Sequence, residues 1–211
     1  MSEKQIFDGQ AVMAIEDSYA RRNFLKYAAV FGVGSTLAVA GLGERRFASG
    51  QSGGDIDILN YALTLEYLEA DFYKQGLDAG ILSGREQALI APIGAHEDAH
   101  VSTISSTISD LGGKPVKAPK TKYPQGTFGD KGTFLETASV FEELGVAAYH
   151  GQVTAIENVD LLAAAASIAG VESRHAAIIA DLIGGNPFPA PVEDTKTIKQ
   201  VLKAAMPFIK S

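Results

Sequence analysis

Two of the four histidines in this chain stand three residues after a glutamate, in Glu97-Asp98-Ala99-His100 and in Glu172-Ser173-Arg174-His175. On a helix that spacing places carboxylate and imidazole on one face, one turn apart. Glu66 and Glu142 are each followed seven residues later by a tyrosine, Tyr73 and Tyr149. Seven residues is two turns, so each phenol lies over the stripe of its glutamate. The layout repeats: Glu66 precedes Glu97 by 31 residues, and Glu142 precedes Glu172 by 30. One glutamate from each of two helices and Glu-x-x-His from each of two others surround a pair of metal ions with carboxylate bridges. Glu97 and Glu172 would bridge or chelate, His100 and His175 would each bind one metal, and Glu66 and Glu142 would be terminal ligands. Four carboxylates balance two divalent cations, which minimises the cost of burying the site. Oxygen and nitrogen donors without sulfur suit iron first and manganese second.

Other readings stay open beside this one. The six residues can form a buried hydrogen-bond or ion-pair network without metal, but no Lys or Arg occupies an inward position beside them, and unmetallated carboxylates would have to take up protons. Glu69 or Glu143 can replace Glu66 or Glu142, with Glu69 otherwise supporting a ligand or facing a neighbouring helix. His96 and His150 adjoin motif residues but point about 100° away around the helix, which suits solvent or an inter-helix contact, or a role in metal intake or in supporting a ligand. Tyr73 and Tyr149 either pack simply, or hydrogen-bond a ligand carboxylate and relay an electron.

The elements that must position these groups are four helices. Apolar residues recur at helical spacing from Asp55 to about Ala79 (Ile58, Leu59, Ala62, Leu65, Leu68, Phe72). A second helix begins at Ser83-Gly84-Arg85-Glu86, a capping-box pattern, and stops at Gly112-Gly113, with Pro92 kinking it or trimming its first turns. Residues 113–131 hold prolines, glycines and lysines with no apolar period, a long crossover. A third helix runs from Thr133 to about Glu157, and a fourth from the break at Asn158-Val159-Asp160 to Gly184-Gly185. The fourth carries the inward stripe Leu161, Ala165, Ile168, Glu172, His175, Ile179, Leu182. Thr195–Ile209 reads as a short terminal helix. Short link, long link, short link is the connectivity of an all-α four-helix bundle with one long crossover between helices 2 and 3.

Composition narrows the rest. The chain has 25 Asp+Glu against 18 Lys+Arg, a net charge of −7, and no cysteine. The acidic balance excludes nucleic acid as a main partner. Lacking Cys, the protein has no disulfides, thiol catalysis or Cys-ligated clusters. Residues 1–48 have a different character, with Arg21-Arg22-Asn23-Phe24-Leu25-Lys26 ahead of a weakly apolar run from Tyr27 to Gly43. Paired arginines before a mild apolar segment are the layout of a twin-arginine export signal, so we expect a periplasmic, envelope or extracellular protein. Membrane contact is expected only through this segment, during export or where it is left uncleaved. Residues 49–54 then read as a flexible linker, 55–186 as the bundle and 187–211 as a C-terminal extension.

The segments from Leu59 to Tyr73 (Leu59-Asn60-Tyr61-Ala62-Leu63-Thr64-Leu65-Glu66-Tyr67-Leu68-Glu69-Ala70-Asp71-Phe72-Tyr73) and His96-Glu97-Asp98-Ala99-His100, with Glu142 to His150 and Glu172 to His175, resemble the ferritin-like proteins related to desiccation-associated proteins, exported bacterial members included. The resemblance covers roughly Asp55–Pro191. It implies a ferritin-like four-helix bundle and, through relatives with all six ligands, ferroxidase, rubrerythrin-type peroxidase or manganese catalase chemistry on Fe(II), O2 or H2O2 in stress protection. Without Cys the chain lacks the cysteine-ligated electron-transfer iron of rubrerythrins. The rival reading is a non-catalytic envelope or stress protein whose bundle serves interaction or homo-oligomer assembly. Its partner surfaces would be Pro187–Ser211 and the crossover lysines Lys114, Lys117, Lys120, Lys122 and Lys131.

Overall fold

Helix-period apolar residues wind into four long helices, α1 Ser52–Asp78, α2 Gly84–Asp110, α3 Lys131–His150 and α4 Val159–Leu182. A shorter α5, Ile198–Ala205, leads into a 3-10 turn, Met206–Phe208. The computed structural model describes residues 52–210, so the export signal expected over residues 1–48 lies outside the described residues. Helix α1 packs chiefly on α2, and α3 on α4, giving two helical hairpins joined by the crossover. The expected all-α bundle is therefore present. Among the described residues no helix is long and apolar enough to cross a membrane.

Four local expectations need correction. The linker expected over residues 49–54 is already helical at Ser52. Ser83 occupies the N-cap of α2 but makes no side-chain cap bond, and Glu86 turns to the ammonium of Lys131 at the start of α3 rather than back to the cap. Pro92 sits inside α2 without ending or shortening it, exposed between the buried Ile90 and Ile93. Finally, α3 stops at His150 rather than near Glu157. The reason is the tail: a Cβ on Gly151 would stand 2.0 Å from the Lys196 carbonyl oxygen, and the Lys196 N–H donates to the Ala147 carbonyl at 3.0 Å.

The crossover, residues 111–130, is laid along α1 by side chains facing outward from that helix. Near its beginning Asn60 Oδ1 accepts from the Val116 N–H at 2.8 Å. Further along, Asp71 accepts from the Thr121 hydroxyl at 2.7 Å and the Tyr123 hydroxyl at 2.8 Å. These bonds satisfy polar groups that a loop packed on a helix would otherwise strand. The crossover then holds the tail, through the Lys122 N–H donating to the Phe208 carbonyl at 2.9 Å and the Lys210 N–H to the Lys120 carbonyl at 2.8 Å. Backbone groups of the crossover and the tail are thus paired internally, while Lys114, Lys117, Lys120, Lys122 and Lys131 stay exposed.

Three apolar clusters flank the bundle's centre. Phe72, Tyr73, Phe134 and Phe141 fill one end together with Tyr123 and Phe128 from the crossover. Phe72 and Phe134 stack with centroids 4.7 Å apart. Leu63, Ile104, Ile108 and Ile168 fill the other end. On the α1/α3 side, Val201 and Ala205 of α5 press onto Leu65, Leu68 and Leu144. Helix α5 is started by a reciprocal capping box between Thr197 and Gln200, and burying Val201 contributes about 1.5–3 kcal/mol to docking it. Asp55, in the first turn of α1, reaches across to accept the N–H groups of Glu157 (2.9 Å) and Asn158 (3.0 Å). It thereby fixes the link before α4, which Asn158 then caps.

Candidate metal centre

Between the apolar clusters the inward stripes of all four long helices carry acids. Glu66 comes from α1, Glu97 and His100 from α2, Glu142 from α3, and Glu172 and His175 from α4. The four glutamates are wholly buried, and the two histidines nearly so. Ligand atoms gather into two groups, Glu66–Glu97–His100–Glu172 and Glu97–Glu142–Glu172–His175, with the atoms of each group within 4.8 Å of one another. Glu97 and Glu172 belong to both groups.

The imidazoles face inward through Nδ1. His100 Nδ1 lies 3.1 Å from oxygens of Glu66, Glu97 and Glu172. His175 Nδ1 lies 2.9 Å from Glu97 Oε1 and 3.4 Å from Glu142 Oε2. The tyrosines cross the bundle rather than serving their own helices: Tyr73 donates its hydroxyl hydrogen to Glu142 Oε1, and Tyr149 donates to Glu66 Oε1. Each half's phenol holds the other half's terminal carboxylate.

Whether such a centre fits metal is decided by what its atoms lack. Among the described residues, Glu97 Oε1, Glu142 Oε2, both oxygens of Glu172 and His175 Nδ1 are buried and lack a well-aligned hydrogen bond, although His175 Nδ1 and Glu97 Oε1 lie 2.9 Å apart. Stranding that many polar atoms would cost several kcal/mol, at about 1–3 kcal/mol each. They converge on the same small volumes, so divalent cations would satisfy all of them at once.

Electrostatics agree with the geometry. Burial pushes Glu66 up to about 7 even though His100 opposes it. Burial, together with repulsion from Glu97, holds Glu172 well above the usual carboxylate range. Burial raises Glu142 too, against the pull of His175. For Glu97 burial is outweighed by His100 and His175, and its carboxyl is driven below the usual range. Burial favours neutral imidazoles, but Glu66 and Glu97 raise His100, and Glu142 raises His175. Without metal the protein must share protons among these groups.

The chain matches the family described as Ferritin-like domain over residues 54–185. It belongs to the ferritin-like family. A search of curated proteins finds no match. In this ferritin-like bundle the buried Glu and His residues form a cluster compatible with a dimetal site.

The remaining candidates separate cleanly. Glu143 points to solvent on the ferritin-like bundle's outer face. His150 is half-buried, and its Nδ1 lies 2.8 Å from the Val146 carbonyl of its own helix. His96 proves to be an inter-helix residue. Its Nδ1 sits 2.8 Å from His175 Nε2, with the rings stacked 5.1 Å apart. Burial and the neighbouring His175 hold His96 down to about 4, hence neutral. A single hydrogen between those nitrogens leaves His175 Nδ1 aimed at the carboxylates. Glu69, read from the sequence as supporting a ligand or facing a neighbouring helix, is only 3% exposed and lies between α1 and α3 beside the carboxylate of Glu172. The available signal was its spacing, three residues after Glu66 on the same stripe.

Proposed function

We propose that this ferritin-like protein binds two first-row metal ions, iron first and manganese second, and is an oxidoreductase acting on Fe(II), O2 or H2O2. The observation that carries the reading is the pair of four-residue groups sharing Glu97 and Glu172, with five buried atoms lacking well-aligned hydrogen bonds among the described residues. Glu66, Glu97 and His100 would hold one ion, Glu142 and His175 the other, with Glu97 and Glu172 spanning both. When bound, such ions supply one-electron redox change and Lewis acidity toward bound oxygen species. The protein's own part is to hold the ligands and exclude water. Tyr73 fixes Glu142 Oε1 and so leaves Oε2 turned toward His175; Tyr149 does the same for Glu66. The phenols are also the groups placed to relay an electron. Both are pushed well above the usual phenol range by burial and by the glutamates they face, and so stay protonated.

Export by the twin-arginine route fits this reading, because that route carries folded, metal-loaded proteins; Arg21-Arg22 and the run that follows support it. The test is elemental analysis of protein isolated without added metal, followed by Fe(II) and H2O2 with absorption monitored. The expected result is about two ions per chain and a spectral change on oxidation. Fewer than one iron or manganese per chain, with no spectral response, overturns the proposal.

A further inference from the structure

The halves of the bundle are in register, so the residue three places after the terminal glutamate is Glu69 on α1 and Gly145 on α3. Glu69 is 3% exposed, yet it makes no hydrogen bond or ion pair among the described residues. A Cβ on Gly145 would stand 3.1 Å from Glu69 Oε1 and 3.1 Å from Glu172 Oε2. The two carboxylates therefore converge on the space that the missing side chain leaves. A buried carboxylate with nothing to neutralise it is costly, and among the described residues no cationic side chain pairs with this one.

Glu69 also differs from the four ligand glutamates in what lies outside it. Those four are 0% exposed. Glu69 lines a narrow crevice between α1 and α3 with a free volume of about 10 Å³, walled by Leu68, Leu144 and Gly145 and overhung by Ala205 of α5. The other residues lining it are apolar or glycine, so Glu69 is the one charged group along the crevice.

We propose that Glu69 is the metal-uptake carboxylate of the dimetal centre, taking a divalent cation from the crevice beneath α5 and passing it across the Gly145 gap to Glu172. This rests on the dimetal reading above. Glu69 replaces none of the six ligands, and its role is in filling the site rather than in holding the ions at equilibrium.

The experiment follows Co(II) uptake by the metal-free full-length protein, using the visible cobalt absorption after stopped-flow mixing, with bound cobalt counted at saturation. In E69Q two cobalt ions still bind, but uptake slows by roughly ten-fold or more, the range that charge focusing in a cleft supplies. E69D, which keeps the charge, restores most of the rate, and E143Q on the exposed face of α3 leaves it unchanged. G145A, whose methyl fills the gap, slows uptake as E69Q does, and decides the matter should E69Q fold poorly. Wild-type rates in E69Q and G145A overturn the uptake role. Fewer than two cobalt ions at saturation in a folded E69Q overturns it as well, by making Glu69 a permanent ligand. A wild-type protein that binds no cobalt overturns the dimetal reading itself, and the uptake role with it.

Discussion

Glu66, Tyr73, Glu97 and His100 on the α1–α2 hairpin face Glu142, Tyr149, Glu172 and His175 on α3–α4, and each tyrosine bonds to the other half's glutamate. Around this shared set the halves diverge. Six residues after the terminal glutamate stands Phe72 in one half and Ala148 in the other. Phe72 is sealed into an aromatic cluster, whereas Ala148 and Tyr149 border an apolar cleft with Ile58, Leu161 and Ala165. Glu69 is matched by Gly145, and His96, which holds His175, is matched by Val171. The clustered acids and imidazoles keep register between the halves, while their surroundings differ. Two ions held by these groups would therefore be chemically inequivalent although the donors are the same.

The largest effect should come from removing what the halves share. E97Q/E172Q deletes both bridging carboxylates and should abolish metal binding by elemental analysis. E66Q and E142Q, one in each half, should each cost one ion of the pair. If both single variants lose both ions, the halves cannot be filled independently, and the comparison fails at its first step.

Protons should show how tightly the halves are coupled. In the metal-free protein Glu66 sits at about 7 against an ordinary value near 4.5, and Glu172, His100 and His175 are raised as well. A raised acid binds a proton more tightly when folded, so its stabilising effect is full at low pH and is lost as pH rises through the folded value. Raised histidines act with the same sign, losing their contribution above about pH 6.5. The depressed Glu97 opposes this only below about pH 4.5. Metal-free protein should therefore become less stable from pH 5 to pH 8, at about 1.4 kcal/mol for each pH unit by which a group is displaced. Bound metal takes the place of those protons, so the Tm difference between Mn(II)-loaded and chelator-treated protein should widen over the same range. A constant difference would mean that the cluster's protons are not linked to metal.

The order of helices and the six residues that cluster at the bundle's centre were legible in the sequence because both are periodic. Apolar residues every three or four places mark a buried stripe, and an acid or imidazole within that stripe stands out as needing a partner. What was not legible depends on residues distant in the chain. Helix α3 ends where it does because the Lys196 carbonyl occupies the space beside Gly151. Glu86 turns to Lys131 rather than back to the α2 cap. The crossover looked like open loop until Asn60 and Asp71, outward-facing on α1, were seen to bind it. Glu69 was ambiguous for the same reason, since its placement depends on the absence of a side chain at Gly145, on another helix.

A smaller effect isolates the imidazole pair. His96 supports His175, while the equivalent position beside the other motif is Val171. H96A should weaken the ion held by His175 by about 10–100-fold and leave the ion held by His100 near its wild-type affinity. Calorimetric titration with Mn(II) would then resolve two steps where the wild type shows a narrower spread. An equal loss at both sites would mean that His96 acts on the whole bundle rather than through one ligand.

The smallest effect separates the two phenols. Tyr73 is 0% exposed, so Y73F leaves Glu142 Oε1 with no replacement donor and should cost the metal-free protein about 1–3 kcal/mol. Tyr149 is half-buried at the edge of the apolar cleft. In Y149F a water entering from that cleft can bond to the freed Glu66 oxygen, which should hold the loss to less than about 1 kcal/mol. Urea unfolding at pH 7, with unchanged m values, measures both. The inequality is a direct consequence of Phe72 on one side and Ala148 on the other. The double variant F72A/Y73F, which gives the first half the second half's small residue, should therefore expose Glu142 to water and recover part of the hydrogen-bond loss, while adding the separate cost of the missing ring. Equal costs for Y73F and Y149F would show that the cleft admits no water to Glu66, and that the halves differ in packing without differing in access.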